Sequence, residues 1–495
     1  MIANHISING MFSLFFLFWA IFTLGCSGSV EDAQESPSTG RYNVLFIVVD
    51  DLNDNIGSYG HEPAKTPHID RLAARGVQFD RAYVQYPLCN PSRTSFLSGL
   101  RPETTQIFTG QALPRRTIGD RVMLPEYFDA HGYFTARVGK IAHSRFPDSV
   151  SWDVSENAPY SPFHMPGIDE STVRDNTWIA GAEDGLERLE ILAHLGRTSG
   201  LPLSWRALPQ ADDQTPDGGT ARRIADLMRA HKDERFFIAA GFHKPHQPWI
   251  APTRYFRLHP PGDVDLPQEP EDDRNDIPLL AIVERPDDAL HTDAQKRQAI
   301  AAYNATISLV DSQVGLLLDT LDELGLAENT FIVFFSDHGF LLGEHGGMWR
   351  KTALFEEATR VPLIVAGPGI EAGRVSPRLV ELVDLYPTLA QLCGLPVPDG
   401  LEGTDFAPLL ADPDREWKRG AFSMVMRGDI PGRSVRTERY RYSEWGEEGP
   451  AELYDLAVDP GEFENRAGDE AFANEQDRLR KLLHAGWTAA LPPAN

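Results

Sequence analysis

Residues 43–51, Asn-Val-Leu-Phe-Ile-Val-Val closed by Asp50-Asp51, decide the fold. The run is almost uninterrupted in its apolar character and does not alternate, which is the pattern of a strand covered on both faces, as in a parallel sheet. Two further runs share the design: Phe236–Phe242 (FFIAAGF) leads into His243, and Phe331–Phe335 (FIVFF) leads through Ser336 into Asp337-His338. Polar residues therefore follow three apolar strands. In open α/β sheets ligands bind beyond the carboxyl ends of the strands, so these distant segments are expected to meet at one site.

Around the strands, Thr66-Pro67 supplies a cap and a first-turn proline for a helix through about Arg75, with Gly76 as its stop. Ile300, Tyr303, Ile307, Val310, Val314, Leu317, Leu321 and Leu324 recur at alternating steps of three and four before Gly325. This is one long amphipathic helix, expected to pack on the sheet. The sequon Asn304-Ala305-Thr306 lies within it and is given little weight as a glycosylation site. Segments 144–220 and 251–290 are loop-rich, the second with seven prolines, and read as binding walls or lids. Beyond about residue 415 the texture changes to short alternating pieces, Ser434–Tyr442 and Glu452–Leu456, followed by a charged helix near Asn474–Ala489. The expected organisation is a large α/β domain over 41–414 and a small C-terminal α+β subdomain with an antiparallel sheet over 415–495.

The chain has 495 residues and a formal charge of −26, which excludes nucleic-acid binding through a broad basic surface. No internal repeat, nucleotide-binding glycine loop or basic aromatic stripe interrupts it. Residues 11–25 (MFSLFFLFWAIFTLG) are shorter than the roughly 20 residues of a membrane span but suit a signal h-region. Residues 1–25 are thus read as a signal peptide and 26–40 as a flexible tether. Thr23-Leu24-Gly25-Cys26 resembles a bacterial lipobox, which implies lipidation of Cys26 and a periplasmic or outer-membrane lipoprotein, with plain secretion and then a retained anchor helix as the alternatives. With Cys26, Cys89 and Cys393 as the only cysteines, an extensive disulfide framework is impossible. Cys393 lies among apolar neighbours and reads as a buried, inert thiol.

Asp50 and Asp51 could cap a helix or solvate a loop. Asp337-His338 at the equivalent place on another strand favours a different reading, in which carboxylates converge. Crowded carboxylates repel unless a cation lies among them, and oxygen-rich ligation favours Ca²⁺ or Mg²⁺. Cys89, ahead of Pro91 and a helix-like run, is either an N-terminal thiol with chemistry or a packed residue.

Cys89-x-Pro91-Ser92-Arg93, with Leu97-Ser98-Gly99 nearby, resembles the signature of type I sulfatases in the alkaline-phosphatase-like superfamily. Gly139–His143 (GKIAH), His243–His246 (HKPH) and Ser336–Gly339 (SDHG) follow in the family's order. The resemblance is strongest to the iduronate-2-sulfatase branch, through 303–325, 382–396 and the ELYDL segment. One departure is the family's Leu-Thr-Gly-Arg, here Leu97-Ser98-Gly99-Leu100 with Arg101 one place late.

The resemblance implies an alkaline-phosphatase-like sandwich with a central, mostly parallel sheet. It also implies that a formylglycine-generating enzyme oxidises Cys89, and that one Ca²⁺ is held by Asp50, Asp51, residue 89, Asp337 and His338. Arg93, Lys140 and Lys351 match the cationic clamp on the sulfate. One hydroxyl of the hydrated aldehyde would attack sulfur, and the other would lose its proton to expel sulfate. His143 fits as the base for that collapse or as a partner of the diol, and His246 as proton donor to the departing sugar oxygen. Each has a plainer alternative: structural histidines for His143 and His246, a solvated basic turn for Lys351 beside Arg350. His345 and Trp349 either border the sugar or pack. The expected substrate is a sulfated saccharide, a terminal uronic acid bearing 2-O-sulfate. The rivals are a choline sulfatase, a phosphonate or phosphodiester hydrolase, and a non-enzymatic lipoprotein binding sulfated glycans through an unconverted site.

Overall fold

The computed structural model describes residues 42–61, 63–160, 203, 205–284, 288 and 291–493. The signal segment, the tether with Cys26 and most of the 144–220 loop lie outside them. Residues 40–495 form one compact unit that includes both of the expected domains. Among the described residues no helix is long and apolar enough to cross a membrane.

The anticipated run becomes β1 (Asn43–Asp50), buried along its whole length. Its side chains divide by the two-residue period of a strand. Leu45, Ile47 and Val49 join a core on one face, and Val44, Phe46 and Val48 a second core on the other. Helices cover both. Pro216–Ala230 and the long helix Asp293–Glu323 contribute Ile224, Met228, Tyr303, Ile307 and Val310 to the first core. Cys89–Ser98 and Leu385–Leu392 contribute Phe96, Leu97, Leu385 and Leu389 to the second. The result is a three-layer α/β sandwich.

Further strands of this sheet are β2 (Gly76–Tyr83), β3 (Phe134–Gly139), β4 (Val154–Glu156), β6 (Phe236–Pro245), β8 (Thr330–Ser336), β9 (Arg360–Val361), β10 (Leu363–Ala366) and β11 (Arg374–Glu381). Their order is β11-β2-β10-β8-β1-β6-β3-β4, with β9 on β2. β8, β1, β6, β3 and β4 pair in parallel, and β10 runs antiparallel to β8 and β2. The carboxyl ends of β8, β1, β6 and β3 therefore lie side by side. β5 (Trp205–Leu208) and β7 (Trp249–Pro252) form a separate parallel pair.

Three expectations change in detail. The helix after Thr66 covers Pro67–Ala73, and Gly76 belongs to β2: a side chain there would meet the Val365 carbonyl at 2.2 Å, so its glycine serves strand pairing. Ser434–Tyr442 is two strands, because Thr437–Arg439 turns between β13 (Ile430–Arg436) and β14 (Tyr440–Trp445). The last helix ends at Ala485, before Gly486 at φ +77°.

With β12 (Ala421–Arg427) and β15 (Ala451–Asp455) those two strands make an antiparallel sheet of four. It docks through Met424 N–H to the Gln85 carbonyl at 2.9 Å. Buried Arg101, one place late in the motif, binds Glu381 in bidentate fashion at 2.8 and 2.7 Å, and Lys418 joins Glu381 and Asp384. Asn304 is 1% exposed, which leaves no room for a glycan.

Candidate active site

Asp50 ends β1, and the chain leaves it through Asp51, held at φ +66°, a conformation costly for a non-glycine residue. Several contacts hold that turn. Asp51 N–H donates to Asp337 Oδ1 at 3.2 Å and Leu52 N–H to Ser336 Oγ at 2.9 Å. Tyr303 OH donates to the Asp51 carbonyl at 2.7 Å and accepts Asn53 N–H at 3.0 Å. Tyr303→Phe should leave that carbonyl without its partner, costing about 1–3 kcal/mol of stability in denaturant titration and weakening cation binding.

Cys89 is the first residue of its helix and 4% exposed. Its Sγ lies 3.3 Å from Asp50 Oδ1, 3.2 Å from His338 Nε2 and 3.2 Å from Lys351 Nζ. The same helix anchors the Asp337 turn: Ser92 Oγ donates to the Asp337 carbonyl at 2.5 Å, and Arg93 Nε donates to Asp337 Oδ2 at 2.7 Å. Thr352 N–H bonds the Pro87 carbonyl at 3.0 Å, which brings the Lys351 segment to the start of the Cys89 helix.

Asp50, Asp51, Cys89, Asp337, His338, Arg93, Lys140 and Lys351 thus form one cluster. Lys140 pairs with Asp50, and Lys351 Nζ with Asp51 Oδ1 at 2.5 Å. Burial would raise the Asp50 pKa, but Lys140, His246, Arg93 and Lys351 together hold it well below the usual carboxylate range. Asp51 is lowered in the same way, with His246 and Lys351 outweighing burial.

His246 lies at the edge of the cluster, its Nε2 4.0 Å from Asp51 Oδ2, and burial lowers its pKa. Its Nδ1–H donates to the Gln247 carbonyl at 2.6 Å, which leaves Nε2 facing the site. His143 makes no hydrogen bond to the cluster among the described residues. It lines a cavity of about 690 Å³ shared with Asp50, Lys140, His243 and His246, and burial together with Lys140 and Arg93 pulls its pKa to about 3.

His345 and Trp349 prove to be packing residues. His345 is fully buried, stacked on Phe355 at 3.9 Å and 3.3 Å from Asp273 Oδ2, and Trp349 is 0% exposed. Cys393 is buried as expected, with burial raising its thiol to about 12.

Donor chemistry suits a hard divalent cation. Two overlapping groups, Asp50, Asp51, Cys89, His246 and Asp50, Cys89, Asp337, His338, keep their ligand atoms within 4.8 Å of one another. His338 Nδ1–H donates to the Gly339 carbonyl at 3.0 Å, which turns Nε2 toward the carboxylates, the arrangement usual for a metal-binding imidazole. Burial would depress its pKa, but Asp337 and Cys89 push it up to about 9, a sign that the ring faces anions. Three cations already balance the three carboxylates, so a divalent ion would leave a positive site for an anionic substrate.

Sequence reasoning missed Tyr303 and Ser336 as braces for the Asp51 turn, Ser92 as a brace for the Asp337 turn, and Asp217, whose carboxylate accepts His243 N–H at 2.7 Å and Lys244 N–H at 3.1 Å. Tyr303 was visible only as a member of an apolar stripe.

The sulfatase family profile matches residues 42–395, which is most of the chain. The chain belongs to the sulfatase family. It is an enzyme of the alkaline-phosphatase-like superfamily that hydrolyses sulfate esters. Residues 343–487 also match the C-terminal region described for N-sulphoglucosamine sulphohydrolase. A sulfatase of Formosa agariphila is 33% identical over 492 residues, covering 96% of this chain and 93% of that one. Mouse iduronate 2-sulfatase is 35% identical over 414 residues, covering 75% and 72%. Among solved structures, a 2-O GAG sulfatase superposes with a TM-score of 0.70 at 26% identity, covering 90% and 91%.

Proposed function

We propose that this sulfatase removes the 2-O-sulfate from terminal uronic acid residues of sulfated glycans, through a formylglycine made from Cys89 by a formylglycine-generating enzyme. Asp50, Asp51, residue 89, Asp337 and His338 would hold one Ca²⁺. The observation that carries the reading is Cys89 Sγ within 3.3 Å of Asp50, His338 and Lys351 at a helix start. Similarity to iduronate 2-sulfatase and to a 2-O GAG sulfatase supports the sugar and the position. Export, with Cys26 as a lipid anchor, belongs to the same proposal and suits a substrate outside the cytoplasm.

Once formed and bound, the hydrated aldehyde would supply a hydroxyl nucleophile and the divalent cation a fixed positive charge. Everything else is done by the chain. Lys140, Lys351 and Arg93 stand where negative charge gathers on the sulfate oxygens, and their low-dielectric surroundings strengthen that stabilisation. Their carboxylate partners fix them in advance. His246, with Nδ1–H held by the Gln247 carbonyl, presents Nε2 to the site; burial disfavours the imidazolium but Asp51 at 4.0 Å favours it, and a second proton taken up at Nε2 would be the one passed to the leaving sugar oxygen. His143, kept neutral by burial and nearby cations, is too weak a base at neutral pH to take a proton readily and suits a hydrogen-bond partner of the diol at the cavity wall.

A choline ester fits poorly, because its cationic group would face Lys140, Arg137 and Arg145 in the cavity. The test is a panel of uronate 2-sulfates, choline sulfate and an aryl phosphodiester, with protein co-produced with a formylglycine-generating enzyme and mass spectrometry of the Cys89 peptide. Formylglycine at residue 89 and preference for the uronates are expected. Preference for the phosphodiester, or full activity with an unmodified thiol, would overturn the reading.

A further inference from the structure

Burying a guanidinium without a counter-charge is costly, and among the described residues the other buried arginines obey that rule. Arg93 pairs with Asp337, Arg101 with Glu381, Arg436 with Glu356, and Arg441 with Glu356 and Glu462. Arg137 does not. It sits on β3, is 3% exposed, and among the described residues no carboxylate pairs with it. Its Nη1 donates to the carbonyls of Gly139 at 2.9 Å and Glu156 at 3.0 Å and reaches Asn157 Oδ1 at 3.4 Å. Its buried Nε has no hydrogen-bond partner among the described residues. Burial lowers its pKa, with Asp148 opposing only in part.

Position gives this deficit a meaning. Arg137 lines the same cavity of about 690 Å³ as Lys140, His143 and His246. Gly139, at φ +84°, allows the close approach of β3 to β6, where a side chain would meet the Gly241 carbonyl at 2.1 Å. The chain then delivers Lys140 to the sulfate side of the cavity while Arg137 borders it three residues earlier.

We propose that Arg137 is a specificity residue that reads a second anion on the substrate, the uronate carboxylate, while Lys140, Lys351 and Arg93 hold the sulfate. This rests on the uronate 2-sulfate reading above. A carboxylate would give the guanidinium the charge-assisted hydrogen bonds it lacks. A sugar without the carboxylate leaves it buried and unpaired, so discrimination of about 100-fold in kcat/KM is expected, in the lower part of the range for removing one partner of a buried charge pair.

The experiment compares a uronate 2-sulfate with its carboxyl methyl ester and with a disulfated neutral hexose, using formylglycine-bearing enzyme, Arg137→Gln and Arg137→Lys. Wild type should favour acid over ester about 100-fold; Arg137→Gln should bring the ratio near one, mainly through KM, and Arg137→Lys should restore part of it. Because the readout is a ratio within each protein, a folding defect alone would not move it. An unchanged ratio in Arg137→Gln, with the acid still hydrolysed, overturns the assignment and leaves the uronate reading intact. Preference for the disulfated hexose makes the second anion a sulfate and overturns the carboxylate. Failure of wild type to hydrolyse acid or ester, while it hydrolyses another sulfated saccharide, defeats the uronate reading and the carboxylate assignment with it.

Discussion

Cys89→Ala is expected to lower sulfate ester hydrolysis by at least about 10⁴-fold while the protein stays folded and keeps most of its affinity for the calcium proposed to bind there. That factor corresponds to roughly 5 kcal/mol of barrier, the scale on which loss of a covalent nucleophile is felt. The alternatives for the nucleophile are poor. Around Sγ stand Asp50, His338 and Lys351, and each has another partner: Asp50 pairs with Lys140, Lys351 with Asp51, and His338 is anchored at Gly339. Alanine fits the same helix start, so the fold should lose only about 1 kcal/mol. Four of the five proposed ligand residues remain, so calcium content by mass spectrometry should fall far less than activity. Turnover above about one hundredth of wild type would mean that residue 89 is not the attacking group.

The apolar strands and the order of the motifs made much of the fold legible. β1 announces itself because an unbroken apolar run is stable only where both faces are covered, and the cores on either side of Phe46 and Ile47 meet that condition. Asp50 and Asp337 were legible for a related reason, since each stands at the carboxyl end of an apolar strand at the same edge of the sheet, whereas Cys89 was legible only through the motif it resembles, because its place before Pro91 fits a reactive or a packed thiol equally well. Arg137 and Tyr303 were not. Tyr303 follows the helical period whether its hydroxyl holds the Asp51 carbonyl or merely fills space, and Arg137 could have belonged to an ordinary ion pair. Their significance depends on which partners are present or missing in three dimensions. The Gly76 turn was misread for the converse reason, because a glycine needed for strand pairing looks in sequence like a helix stop. His345 and Trp349 resembled sugar contacts by adjacency to Lys351, but the glycines around them reverse the chain: Gly343 lies at φ +107° and Gly346 at φ +72°. Lys351 reaches the site, while His345 and Trp349 are buried.

Asp337→Ala should produce the largest combined loss, in stability, calcium and rate together. Its two oxygens serve different partners: Oδ2 takes Arg93 Nε at 2.7 Å, and Oδ1 takes Asp51 N–H at 3.2 Å. Arg93 and Asp337 are both fully buried. Removing the carboxylate therefore leaves a buried guanidinium short of its main counter-charge, with about 3–5 kcal/mol of destabilisation expected. The Asp51 turn loses a restraint at the same time, so two proposed calcium ligands are affected by one change. Asp337→Asn separates these effects, because its side-chain oxygen can still accept from Asp51 N–H while its charge is gone. Asn should thus recover part of the stability and little of the calcium affinity. Calcium itself supplies the decisive readout, since a ligand bound only by the folded state raises stability as its concentration rises above Kd. Wild type should gain in melting temperature across a calcium titration, Asp337→Asn should need a much higher concentration, and Asp337→Ala should show almost no gain. An equal calcium-dependent rise in all three proteins would remove Asp337 from the metal site and leave it only as the partner of Arg93.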